Sequence, residues 1–245
     1  MRLRQCRRND VTIAVISDLH LGARAATDLF GHDDGDFLKF LSFLEYNFER
    51  IVLLGDIWET LTSNSPRGHA DELRLARDRH PEIAQRFTRR MYTYVHGNHD
   101  WIAGEKGDAP SEVRWNYGGA RLIFAHGHQS DAMVMTQRCL TETGIWLGGW
   151  IRRAGLKAAY DFFDRLDQKR GVYHDDERPG AVEAWAIDEA RSQKADVIVT
   201  GHTHIPRKVE HGAHLFMNSG SCAEGNISFL ALDPKAGHYA VHNSY

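Results

Sequence analysis

The chain of 245 residues is short of three things that would narrow its reading. Cysteine is scarce: Cys6, Cys139 and Cys222 are odd in number and far apart. That excludes a disulfide framework and a CxxC zinc site, and fits a reducing compartment. Long apolar runs are missing; none approaches the roughly 20 residues of a membrane span. The basic start, MRLRQCRRND, leads into an apolar stretch too short for a signal-peptide core, so VTIAVI is expected to be the first strand and the cytoplasm the default location. Excess positive charge is also missing. A formal net charge of −3 gives nucleic acid no general electrostatic attraction, so a nuclease reading has little to stand on. There is no internal repeat and no low-complexity tract.

What is present is a series of short β-rich runs, each ending in a polar cluster. VTIAVI (11–16) ends in SDLHLG, IVLL (51–54) in GDIWE, MYTYV (91–95) in HGNHDW, RLIFA (121–125) in HGHQSD, and DVIVT (196–200) in GHTH. Continuous rather than alternating apolar runs predict strands buried on both faces. FLKFLSFLEYNF (37–48) and AVEAWAIDEARSQ (181–193) repeat at helical spacing, which makes the chain α/β. Residues 215–221 and 227–233 read as late strands with an antiparallel finish. Residues 60–90 read as a helical excursion or loop. A single domain over 1–245 is expected, with a helical insertion at about 129–180.

In open α/β sheets, ligands bind outside the carboxyl ends of the strands. The five polar clusters should therefore converge. Pooled, they contain Asp18, His20, Asp56, Asn98, His99, His126, His128, His202 and His204. Imidazoles, carboxylates and an amide oxygen suit Mn, Fe, Zn, Co or Ni better than Ca or Mg, and the number suits two ions sharing a carboxylate. Gly22, Gly55, Gly97, Gly127 and Gly201 lie beside these residues, where glycine permits tight turns. Asp18 and His20 are two apart, as are His202 and His204. Extended backbone would aim each pair to one side. Glu59 is read as a supporting acid or a surface one, and His128 as a rim residue rather than a ligand.

Taken in order, DLH (18–20), GDIWE (55–59), GNHD (97–100), HGH (126–128) and GHTH (201–204) resemble the signature of the calcineurin-like metallophosphoesterases. The resemblance implies a four-layer αββα sandwich with a dinuclear centre, Mn first among the candidate metals. It implies that Asp18, His20, Asp56 and His204 hold one ion, and that Asp56, Asn98, His126 and His202 hold the other. His99 would face the phosphate and its leaving group, with Asp100 orienting it. Hydrolysis of a phosphodiester or pyrophosphate by a metal-bridging hydroxide is the implied activity.

The branch most similar is that of the UDP-2,3-diacylglucosamine hydrolases, which release UMP and a lipid phosphate. That branch carries arginine where this chain has His99, and HGD where it has HGH. The substrate expected is a phosphorylated small molecule or a lipid-linked one. Residues 145–166 interleave Trp146, Trp150, Phe162 and Phe163 with Arg152, Arg153 and Lys157. They are read as a packed helical subdomain or a lid, able to touch the inner membrane peripherally. The alternatives are a phosphodiesterase of another small-molecule or lipid substrate, and a non-catalytic scaffold like the retromer subunit of similar fold. A scaffold would show eroded ligand positions; here all are filled.

Overall fold

The computed structural model describes residues 12–23, 28–62, 68–130 and 180–244. The expected insertion therefore falls almost wholly outside the described residues.

The apolar runs become strands because both of their faces find partners. In β1 (Ile13–Ile16) all four residues are buried. Ile13 and Val15 point one way, into a cluster with Val52, Leu54, Val95, Phe124, Val199 and Met217. Ala14 and Ile16 point the other way, into a cluster with Ile51, Leu53, Phe37 and Leu41. The period of two thus assigns alternate residues to two different cores.

Two five-stranded sheets result. The first contains β1, β3 (Arg50–Leu54), β5 (Tyr92–Val95), β11 (Ile227–Asp233) and β12 (His238–Ser244), in the order β12-β11-β1-β3-β5. The second contains β6 (Glu112–Tyr117), β7 (Ala120–Ala125), β8 (Val197–Thr200), β9 (Arg207–His211) and β10 (His214–Asn218), in the order β6-β7-β8-β10-β9. A short pair joins β2 (Leu21–Gly22) to β4 (Trp58–Glu59). Strands β1, β3 and β5 run parallel, as do β7, β8 and β10. The late strands are antiparallel: β11 to β1 and β12, and β9 to β10.

Helices cover the outer faces. Helix α1 (Asp34–Asn47) buries Phe37, Leu41 and Leu44, one stripe at helical spacing. The Asp33 carboxylate accepts from the Asp36 amide and caps its start. Helices α2 (His69–Arg79) and α3 (Pro81–Phe87) add Leu73, Ala76 and Ile83 to the same core. A four-residue helix, α4 (Ile102–Glu105), follows β5. On the far side, α5 (Ala181–Gln193) lays Ala186, Ile187 and Ala190 on Ile123, Ile198 and Phe216 of the second sheet. Its buried Glu183 meets Arg207 Nε at 2.9 Å and His211 Nε2 at 2.7 Å, tying α5 to β9. The layers are helix, sheet, sheet, helix, as expected. Among the described residues no helix is long and apolar enough to cross a membrane.

Strands β6, β9 and β12 were not anticipated. All three are sheet edges. β6 and β9 alternate half-buried with exposed residues, so they carry no continuous apolar run to find. Within residues 60–90 the described part is helical, as α2 and α3.

Candidate metal centre

The loops after β1, β3, β5, β7 and β8 meet at one end of the sandwich. Backbone bonds lock them in pairs: Asp18 N donates to Gly55 O (3.1 Å), His20 N to Asp56 O (2.9 Å) and Gly201 N to His126 O (2.9 Å). His126 Nδ1 donates to Leu54 O at 2.8 Å and so crosses from the second sheet to the first.

The side chains are aimed by an unusual backbone. Asp18 (φ 53°), His20 (50°), Asp56 (52°), His202 (69°) and His204 (60°) are all left-handed. Only Lys194, which caps α5, and Glu224 share this among the described non-glycine residues. Left-handed backbone costs a non-glycine residue roughly 1–2 kcal/mol, so the fold must hold these five against their preference. The expected cause of pairing was strand alternation, and this is corrected. Asp18 and His20, like His202 and His204, lie beyond the strand ends in left-handed turns, which put Asp18 and His20 in one donor group and His202 and His204 in separate ones. The glycine reading is corrected in part. Gly22, Gly97 and Gly201 do not have positive φ; they supply room. A Cβ on Gly97 would stand 2.1 Å from Asp56 Oδ1, and one on Gly201 2.6 Å from Ser17 Oγ.

Three overlapping groups of donor atoms result, each within 4.8 Å: Asp18 with His20 and His204; Asp56 with His126 and His202; and His20 with Asp56 and His99. His126 Nε2 lies 3.1 Å from Asp56 Oδ2 and 3.9 Å from Asp18 Oδ1, and His204 Nε2 lies 3.2 Å from Asp18 Oδ1. The set fits divalent cations by its unmet demands. Asp18 Oδ1, His20 Nε2, Asn98 Oδ1 and His126 Nε2 are buried atoms without a hydrogen-bond partner among the described residues. Four such orphans in one place call for something to bind. For His126 the bond from Nδ1 leaves Nε2 to face the carboxylates, where a cation would take the place of its proton.

The electrostatics agree. Burial opposes charge on Asp56, yet His126, His99 and His20 hold it well below the usual carboxylate range. Burial works against the His126 cation, but Asp56 and Asp18 push it up to about 9. Burial and His126 push His202 down to about 4, which leaves it a neutral donor.

His99 sits at the mouth, its side chain 19% exposed. The expectation that Asp100 orients it is corrected. The carboxylate on His99 Nδ1 is Glu59 Oε2, at 2.8 Å. Glu59 also lies 3.3 Å from His20 Nδ1 and accepts from Leu61 N at 2.9 Å. Burial would neutralise Glu59, but His99 and His20 hold it down to about 2. Burial likewise disfavours charge on His99, and Glu59 and Asp56 raise it to about 10. Asp100 is instead occupied by the backbone. It accepts from Gly97 N (2.6 Å), Ile57 N (2.7 Å), Asp56 N (3.3 Å) and Trp58 N (3.3 Å), and from Tyr94 Oη (2.5 Å). It clamps the loop of Asp56 to the loop of Asn98.

His128 is buried on a 3-10 turn, its ring 5.7 Å from that of His126, and it joins none of the three donor groups. Ser17, Tyr94 and Ser219 were missed by sequence reasoning. Hydroxyl residues at strand ends carry no signal of what they touch.

The family model described as calcineurin-like phosphoesterase matches residues 11–206. No curated protein matches the chain. Similar solved structures include a predicted phosphoesterase from Streptococcus pneumoniae, 16% identical, covering 97% of this chain and 100% of its own, with a TM-score of 0.43. Vacuolar protein sorting 29 from Cryptosporidium parvum is 18% identical over 96% and 97%, at 0.47. An archaeal phosphodiesterase is 14% identical over 96% and 100%, at 0.48.

Proposed function

The chain belongs to the calcineurin-like phosphoesterase family, and from that premise we propose that it hydrolyses a phosphodiester or pyrophosphate bond at a two-ion centre. The carrying observation is the convergence of orphaned buried donors from both sheets: Asp18 Oδ1, His20 Nε2, Asn98 Oδ1 and His126 Nε2.

Asp18, His20 and His204 would hold one cation, and Asn98, His126 and His202 the other, with Asp56 shared. Bound there, the pair would supply Lewis-acid binding of phosphoryl oxygens and a water acidified enough to attack phosphorus near neutral pH. The remaining work belongs to the chain. Asp56 and Asp18 stay ionised and fix the charge of the cradle. Glu59 accepts hydrogen bonds from Nδ1 of His20 and of His99. That turns His20 Nε2 toward the centre and leaves His99 Nε2 for the substrate. His99, pushed toward its charged form by Glu59 and Asp56 against burial, would donate from that nitrogen to the leaving oxygen. Asp100 and Tyr94 keep the amides of both loops in place.

For the substrate, the resemblance of GDIWE to the second motif of the UDP-2,3-diacylglucosamine hydrolases supports a nucleotide-lipid pyrophosphate such as UDP-2,3-diacylglucosamine. The aromatic and basic side chains of residues 145–166 support acyl chains and peripheral membrane contact. The test is release of UMP from UDP-2,3-diacylglucosamine by the Mn-loaded protein, beside a chromogenic phosphodiester. Fast UMP release carries the full reading. Diester cleavage without UMP release leaves a phosphodiesterase of another substrate. Protein that loads metal and cleaves neither overturns the hydrolase reading.

A further inference from the structure

Asp18 has two carboxylate oxygens, and the fold treats them differently. Oδ2 receives the Ser17 hydroxyl in a short hydrogen bond and the His202 amide at 3.2 Å. Oδ1 receives no hydrogen bond from the described residues, although it is buried. It faces His204 Nε2 at 3.2 Å and His126 Nε2 at 3.9 Å. Donors thus occupy one oxygen and leave the other open toward the histidines.

Ser17 is itself braced. It is fully buried, and its Oγ lies 2.7 Å from Ser219 Oγ and 3.1 Å from Gly220 O. Ser219 follows β10, so the hydroxyl pair spans the two sheets. If the Ser219 proton goes to Ser17, the Ser17 proton goes to Asp18, and each bond polarises the next. Gly201 clears the ground for this: a Cβ there would stand 2.6 Å from Ser17 Oγ and 2.7 Å from Asp18 Oδ2.

Resting on the two-ion reading, we infer that Ser17, held by Ser219, is a positioning residue that makes Asp18 bind a cation through Oδ1 alone. Without the hydroxyl only the His202 amide holds Oδ2, and the cation position of Asp18, His20 and His204 loosens. Groups that orient metal ligands in this way typically change affinity by about 10–100-fold.

The experiment titrates metal-free protein with Mn²⁺ by calorimetry and follows the spin-coupled ion pair by electron paramagnetic resonance. Wild type, Ser17→Ala and Ser219→Ala are compared, with the thermal midpoint of each metal-free protein. The expected result is two ions in wild type. In Ser17→Ala one position is weakened about 10–100-fold, the other is unchanged, and the coupled signal is lost at limiting Mn²⁺. Ser219→Ala weakens the same position less. The inference is overturned if Ser17→Ala binds both ions as wild type does. It is also overturned if both positions weaken together with a lower thermal midpoint, since Ser17 would then be only structural. Wild type that takes up no ion overturns the two-ion reading itself, and the inference with it.

Discussion

His99 and Asp100 are neighbours in sequence with unrelated tasks. Adjacency suggested a pair, but a strand-end turn sends consecutive side chains apart, and the acid that reaches His99 lies 40 positions earlier. The carboxylate of Glu59 was visible in GDIWE; its partner was not, because that depends on how two loops meet. His99→Ala should lower kcat about 10²–10⁴-fold while the protein keeps both ions. Metal analysis beside steady-state kinetics checks this, and loss of an ion would make His99 a ligand instead. A second expectation follows from His126. Asp56 and Asp18 raise it to about 9 against the opposing effect of burial, and a proton on Nε2 competes with a cation. Binding must release that proton, so Mn²⁺ affinity should climb as pH rises toward about 9 and then level. Titrations across that range that show a flat affinity would contradict the arrangement.

At the scale of elements, legibility followed burial. β1, β3, β7 and β8 were readable because nearly every residue in them faces one of two cores. β9 reads RKVEH and pairs only with β10, so nothing in its own composition announces a strand. Helix α1 was readable from its stripe, and the stripe is what holds it. Leu41 is fully buried in the first outer core, and Leu41→Ala should destabilise the protein by about 2–5 kcal/mol. Urea unfolding of the metal-free protein measures this. Glu45, on the same helix, gathers Arg86, Arg89 and the Tyr92 hydroxyl, joining α1 to α3 and β5.

In the whole molecule the site lies on a seam. Asp18, His20, Asp56 and Asn98 follow strands of the first sheet; His126, His202 and His204 follow strands of the second. The five-motif order revealed this convergence, since only a sandwich with aligned strand ends brings those stretches together. Far from the seam, His80 joins the α2–α3 junction to the start of α1 and the segment before it. It meets Asp34 Oδ1 at 2.8 Å and Asp28 Oδ2 at 3.5 Å, with Arg79 also on Asp28. Burial disfavours its charge, but Asp28 and Asp34 raise it above its ordinary value of 6.5. Its contribution is therefore complete below about pH 6.5 and lost as pH rises through the folded value. His80→Gln should lose more stability at pH 6 than at pH 9, read from urea midpoints; equal losses would show that the charge is not involved.

The left-handed ligands have a consequence in evolutionary time. Asp18, His20, Asp56, His202 and His204 hold conformations that suit glycine or asparagine better. Selection for catalysis keeps them; selection for folding alone would not. In a duplicate copy released from its reaction, these positions are where drift meets least resistance, and the descendants would be sturdier and inert. Asp56→Gly imitates that history in one step. It relieves a strained φ but takes from His126, His99 and His20 the carboxylate that they hold ionised, so its metal-free form should melt below metal-free wild type until those partners drift too.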